Sequence, residues 1–423
     1  MHASTDPVTD NLQVTHLRDG FQSVRDRTVA LCAPLTREDF VVQSMPDASP
    51  AKWHLAHTSW FFERFVLREA VPDLKPYDQR FDYLFNSYYD AVGDRHPRAT
   101  RGLLTRPTVD DVLEYRRCVD DRMGALLLES CRVEDALLAR IELGIHHEQQ
   151  HQELLLTDIK HAFSMNPIHP AYTCAAPRAV GNVARIAWHR FSEGVHEIGA
   201  EPEGFCFDNE TPRHRVYVQP FAIAHRLVTN GEFLEFIRDG GYQRPGPWLS
   251  DGWALVQAQN WHHPLYWFGS LESEFTLAGD LPIDATEPVC HLSFYEADAF
   301  ARWAGARLPS EAEWEIASRT QGPSGNFVES GDFRPAGAND AAQLQQMLGS
   351  AWEWTASAYS PYPGFRASAG ALGEYNGKFM ANQYVLRGGS CATPASHIRC
   401  SYRNFFYPHQ RWQFAGVRLA KDA

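Results

Sequence analysis

The sequence predicts a chain of mixed class, an all-helical bundle followed by an irregular α+β domain. Helical periodicity of long range runs to about residue 165 and then stops. Beyond about residue 180 the texture changes to short apolar runs mixed with Gly and Pro, and every tryptophan except Trp53 and Trp60 lies there. With 423 residues the chain is long enough for two substantial cores. The expected domains are 1–170 and 180–423, with Cys174-Ala175-Ala176-Pro177 in the linker.

The first helix follows from Val14, Leu17, Phe21, Val24, Thr28 and Leu31, whose steps of three and four build one buried stripe. A second is predicted from Ser49-Pro50, with Ser as N-cap and Pro at the first helical position, through Trp53, His57, Trp60 and Phe61 to about Ala70. A third opens near Thr108 and carries Val112, Val119, Met123 and Leu126. A fourth runs from Val133 past Leu156 and includes His147-Glu148-Gln149-Gln150-His151. Four such helices make a four-helix bundle, a fold that places metal sites on facing helices. The link from 71 to 106 exceeds the usual connection length, which points to a functional loop. In the second half, helical periodicity is clear only over Thr229 to Ile237 and Tyr295 to Trp303.

The composition, 44% hydrophobic and 22% charged, is that of an ordinary globular protein. No run approaches the roughly 18 apolar residues of a membrane span, and Met1 to Pro7 lacks the pattern of a secretory signal. A net charge of -13 argues against nucleic-acid binding, which needs clustered Lys and Arg. The eight cysteines form no C-x-x-C pair, a spread that fits reduced thiols in a cytosol.

The chemistry concentrates in the fourth helix. One helical turn brings His147 and His151 onto the same face, where both rings reach one ion. The third ligand expected is His57, from Trp53-His54-Leu55-Ala56-His57. With His57 on the Trp53/Trp60/Phe61 face, His54 points roughly 60–100° away. His146 and His161 fall on other faces. Three neutral imidazoles suit Zn, Fe, Cu or Ni. The run also matches H-E-x-x-H, so zinc hydrolysis with Glu148 as base stays open. However, Glu148 is set off the metal face while Gln150 shares it, and no third ligand follows at the metzincin spacing.

Trp53-His54-Leu55-Ala56-His57-Thr58-Ser59-Trp60-Phe61-Phe62-Glu63, the His147 to His151 run, and Leu386-Arg387-Gly388-Gly389-Ser390-Cys391 through Arg418-Leu419 resemble the sulfoxide synthases of ergothioneine biosynthesis (EgtB type). The first half is similar to DinB-like four-helix bundles. The second contains Arg307-Leu308-Pro309-Ser310-Glu311-Ala312-Glu313-Trp314-Glu315, a mark of the C-type-lectin-like fold of formylglycine-generating enzymes. The resemblance covers nearly the whole chain, and the combination of halves is what makes it specific.

The resemblance implies a mononuclear non-heme Fe(II) enzyme that uses O2 to join sulfur to C2 of the hercynine imidazole, leaving a sulfoxide. It implies His57, His147 and His151 as iron ligands and Gln150 as a contact to the hercynine ring. Asn404, Phe405 and Phe406 fall where the trimethylammonium and carboxylate end is held, and a quaternary ammonium suits aromatic faces. Tyr88 and Tyr89 match an active-site tyrosine pair that supplies a proton. Arg98 and Arg101 match carboxylate-binding arginines, a task suited to guanidinium forks.

Departures from the family bear on the sulfur donor. Phe406 stands where users of γ-glutamylcysteine carry an acidic residue, which favours free cysteine. Gly349-Ser350-Ala351 replaces Gly-Asn-Val or Gly-Asp-Val, and Cys400 replaces a proline. These positions keep the selenoneine synthases, which take selenium from a selenosugar, as an alternative. A thiohistidine synthase would carry a further methyltransferase domain, which this length is not expected to hold. Copper-dependent formylglycine formation needs a closer cysteine pair than Cys391 and Cys400. A non-enzymatic binding module would retain ligand without consuming O2.

Overall fold

The computed structural model describes residues 7–129, 134–175, 178, 183–339, 342–368 and 370–423. Val133 and the Ala176-Pro177 part of the expected linker lie outside them. The chain divides into two compact units, one of residues 1–165 with 369–375, the other of 166–368 with 376–423. The stretch 369–375 therefore groups with the helical half, apart from its neighbours in sequence.

In the first unit the predicted bundle is present. Helix α1 spans Pro7–Cys32 and α2 Ala51–Phe62, followed by a π-helical turn Glu63–Leu67 and the short α3, Arg68–Ala70. The segment 71–106 contains α4, Phe81–Phe85, and two 3₁₀ turns, Asp90–Val92 and Arg98–Leu103. Helices α5, Val109–Glu129, and α6, Asp135–Ser164, complete the bundle. The α1 stripe from Val14 to Leu31 is buried as predicted. On α5 the stripe continues from Met123 to Leu127, one residue beyond the expected Leu126, because the i+4 step keeps to the same face.

Ser49 does not cap α2. Pro50 occupies the N-cap position without a side-chain bond. The Ser49 N–H donates to Asp158 Oδ2 at 2.8 Å, and its Oγ accepts from Arg101 Nη1 at 2.9 Å. Tertiary partners have taken the groups that a cap would use. Every residue of α2 is buried, so this helix forms the centre of the bundle. Gly144 allows α6 close to it: a Cβ there would lie 2.5 Å from Phe62 Cε1.

Among the described residues the second unit holds four small sheets. β1 (Trp188–Phe191) and β12 (Ala420–Asp422) flank β4 (Phe221–Ala224), both antiparallel. β2 (Gly194–Ile198) and β3 (His214–Val218) form a two-stranded ribbon. β5 (Trp267–Phe268), β6 (Ser273–Thr276) and β7 (Gly279–Pro282) form a meander. β8 (Trp352–Ala358), β9 (Tyr384–Arg387), β10 (Asn404–Phe406) and β11 (Ala415–Gly416) run in the order β10-β9-β8-β11.

Among the described residues the α-helices accompanying these sheets are α7 (Asn230–Arg238), α8 (Ser250–Gln259), α9 (Phe294–Trp303) and α10 (Glu311–Ser318). Helices α7, α9 and α10 open with capping boxes, Thr229 with Glu232, Ser293 with Glu296, and Ser310 with Glu313. The Arg307–Glu315 signature runs through the Ser310 cap into the first turns of α10. Its Trp314 sits in a core with Ile198, Phe221 and Ile223 and donates through Nε1 to Glu353 at 2.7 Å. Arg418 meets the same carboxylate at 2.7 Å. The signature residues of this half thus build a buried polar frame.

Candidate metal centre

Helices α2 and α6 bring His57, His147 and His151 together, with one ring nitrogen of each within 4.8 Å of the others. His57 and His147 face each other through Nε2 at 3.2 Å. Two nitrogens each about 2.1 Å from one ion lie about 3.0–3.4 Å apart, so this spacing fits a shared cation. All three rings are buried. Burial pushes the His147 imidazole down to about 3, and it also lowers His57 and His151 well below the usual histidine range. The rings are therefore neutral at pH 7, the form that ligates metal.

Each ring is held differently. His57 stacks on Trp53, with centroids 4.5 Å apart, and its Nδ1–H donates to the Phe85 carbonyl at 2.6 Å, leaving Nε2 as the lone pair. His151 meets His54, Nδ1 to Nδ1, at 2.9 Å, and His54 Nε2 lies 3.0 Å from Asp158 Oδ2. His54 thus approaches α6 instead of turning away, because an offset of about 60° still faces so close a neighbour. His147 Nδ1 finds no hydrogen-bond partner among the described residues, and this ring packs on Phe61 at 4.5 Å.

Glu148 points out of the site. Its carboxylate accepts from Arg25 Nη1 at 2.9 Å, Arg116 Nη2 at 2.6 Å and Thr28 Oγ1 at 2.7 Å. Burial alone would raise its pKa, but Arg116 and Arg25 hold it down at about 2. A carboxylate so committed is a poor general base, which removes the central requirement of zinc hydrolysis.

Gln150 lies on the metal side and accepts through Oε1 from the Tyr375 hydroxyl. The sequence reading missed Tyr375. Its ring is edge-on to His147 at 5.8 Å and to Tyr88 at 6.0 Å. Glu374 anchors this stretch by accepting from the Asp90 and Ala91 N–H groups at 2.9 and 2.8 Å. No local pattern around 375 signals this role.

Tyr88 and Tyr89 stand with ring centroids 4.7 Å apart. The Asn86 side chain forms their turn, accepting from the Tyr89 N–H and donating to its carbonyl. Tyr89 is fully buried, and burial followed by the neighbouring Tyr88 raises its phenol pKa well above the usual value. Tyr88 is half-buried.

The two arginines differ. Arg98 is exposed and donates to the Asp47 carbonyl. Arg101 is buried, with its guanidinium 3.4 Å above the Trp53 ring and its Nε lacking a partner among the described residues. Burial, then the repulsion of Arg98, lowers its pKa well below the usual arginine value. Its Nη1 donates to the Ser49 hydroxyl, and the Asp158 carboxylate acts on it in the opposite sense to burial.

Asn404, Phe405 and Phe406 lie on β10 of the second unit, all half-buried. Phe405 stacks on Tyr359 at 4.1 Å, and Asn404 Oδ1 accepts from the Phe405 N–H. Cys391 is buried and Cys400 half-buried. Ser350 adopts a φ of 63°.

The DinB superfamily matches residues 21–155, and the sulfatase-modifying factor enzyme 1-like domain matches 189–346 and 330–423. Over 440 aligned positions the chain is 34% identical to the hercynine oxygenase of Mycolicibacterium smegmatis, covering 96% of this chain and 98% of that one. It is 35% identical to the hercynine oxygenase of Mycobacterium tuberculosis, covering 89% and 92%. It is 29% identical to ergothioneine biosynthesis protein 1 of Schizosaccharomyces pombe, over 54% of this chain and 29% of that one.

Proposed function

The chain belongs to the hercynine oxygenase family, and on that premise we propose that it is an Fe(II)- and O2-dependent oxidoreductase joining a thiol sulfur to C2 of the hercynine imidazole. The balance is closed: the C2–H and S–H bonds break, a C–S bond forms, one oxygen atom of O2 becomes the sulfoxide and the other leaves as water. The observation that carries the reading is the convergence of His57, His147 and His151 as neutral buried imidazoles.

These three residues would hold the iron, which supplies the electron transfer that makes O2 reactive. Gln150 orients the hercynine ring through its amide, its carbonyl oxygen being fixed by Tyr375. Tyr375 holds its phenolic proton beside that amide and His147, with the Tyr88 ring edge-on to it, and we assign the proton delivered during O2 reduction to this pair. Tyr89 supports Tyr88 from behind. The unpartnered Nε of Arg101 supports its role as partner to the carboxylate of the donor, with the exposed Arg98 as the second arginine. Asn404, Phe405 and Phe406 receive the trimethylammonium and carboxylate end of hercynine.

Phe406 in place of an acidic residue favours cysteine over γ-glutamylcysteine. The direct test is aerobic incubation of iron-loaded protein with hercynine, cysteine, γ-glutamylcysteine and a selenosugar in competition. The expected product, by mass, is the cysteine sulfoxide conjugate. A selenium conjugate would move the chain to the selenoneine branch, and the absence of any hercynine-derived C–S or C–Se product would defeat the reading.

A further inference from the structure

The two nitrogens of His151 have different tasks. Its Nδ1 is occupied by His54 Nδ1 at 2.9 Å, so Nε2 is the atom available to an ion. For Nε2 to carry a lone pair, the His151 proton must sit on Nδ1 and donate to His54. His54 can accept there only if its own proton is on Nε2. The Asp158 carboxylate oxygen, 3.0 Å from His54 Nε2, requires that arrangement, because a carboxylate accepts and does not donate. Asp158 is in turn fixed by the Ser49 N–H at the entrance to α2. Each step dictates the next, from a backbone amide to the face of His151.

We propose that His54 and Asp158 form an outer relay that sets the tautomer and orientation of His151 and so completes the metal site. The proposal rests on the three-histidine metal reading above. Both residues are buried, with His54 2% and Asp158 6% exposed, so water does not readily replace either partner. The relay distinguishes His151 from His57, whose outer partner is an uncharged carbonyl, and from His147, whose Nδ1 has no such partner among the described residues. His54 and Asp158 are positioning residues, since they act through His151.

The test is anaerobic titration of the full-length protein with Fe(II), and separately with Co(II) while recording its ligand-field spectrum. The variants are His54→Phe, His54→Gln and Asp158→Asn. His54→Phe removes the acceptor and should weaken metal affinity about 10–100-fold. His54→Gln can accept from His151 through its carbonyl and donate to Asp158 through its amide, and should restore most of that loss. Asp158→Asn keeps an acceptor oxygen but removes the charge; it should fall between the two and shift the Co(II) spectrum. Wild-type affinity and spectrum in His54→Phe would overturn the relay, as would equal losses in His54→Gln and His54→Phe, which would indicate packing alone. Should His54→Phe fail to fold, Asp158→Asn decides, and an unchanged affinity and spectrum there overturns the proposal. Wild-type protein that takes up neither ion would instead overturn the metal reading on which the proposal stands.

Discussion

Neighbouring residues on α6 illustrate how burial and partners divide the chemistry. His147 is kept neutral by burial, which outweighs the pull of the Glu148 charge, whereas Glu148 is kept ionised by Arg116 and Arg25. Both bind fewer protons folded than unfolded, so both tie stability to pH with the same sign. The contribution of His147 is present above about 6.5 and is lost as pH falls toward about 3; that of Glu148 is present above about 4.5 and is lost as pH falls toward about 2. Metal-free protein should therefore lose unfolding free energy on going from pH 7 to pH 5, with a steeper loss below pH 4.5. Urea denaturation at a series of pH values measures this, and a flat profile from pH 7 to pH 5 would contradict it. The pairing of His147 with His151 was legible because it needs only helical spacing. Tyr375 was not, because its partner Gln150 is 225 residues away and no periodic pattern links them.

At the level of elements, periodicity located α1 and α5 because each buries one continuous face, whereas α2 is buried on every side and was legible from its Pro50 start and its run of aromatic residues. Periodicity could not locate the π-helical turn Glu63–Leu67, whose extra residue per turn depends on tertiary partners. Glu63 in that turn is buried and accepts from the Tyr77 N–H and the Tyr115 hydroxyl, both at 2.8 Å. The absent cap at Ser49 has the same origin, since Asp158 and Arg101 claim its polar groups. The contact between α2 and α6 is most sensitive at Gly144. An added Cβ would meet Phe62 at 2.5 and 2.8 Å and Phe61 at 3.1 Å, and Phe61 supports His147. Gly144→Ala should cost about 1–3 kcal/mol by overpacking and weaken metal binding as well. Thermal melts with metal titration would show both effects; retention of wild-type affinity would separate the crossing from the site.

For the molecule as a whole, the DinB-like bundle and the formylglycine-generating-enzyme-like unit were both legible from signatures confined to each half. Since the three histidines belong entirely to the first unit, metal should stabilise that unit. Anaerobic Fe(II) at about 100 times its Kd should add about 2.7 kcal/mol to its unfolding free energy. His57→Ala should abolish the increment, and an equal increment in that variant would place the ion elsewhere. The exception to the division by halves is residues 369–375, which group with the bundle although about 200 residues of the second unit precede them. On a ribosome adding about 5–20 residues per second, the three imidazoles emerge roughly 11–45 s before Tyr375. A nascent bundle can thus gather its histidines early, whereas the Gln150–Tyr375 contact forms only after more than 200 further residues have been added.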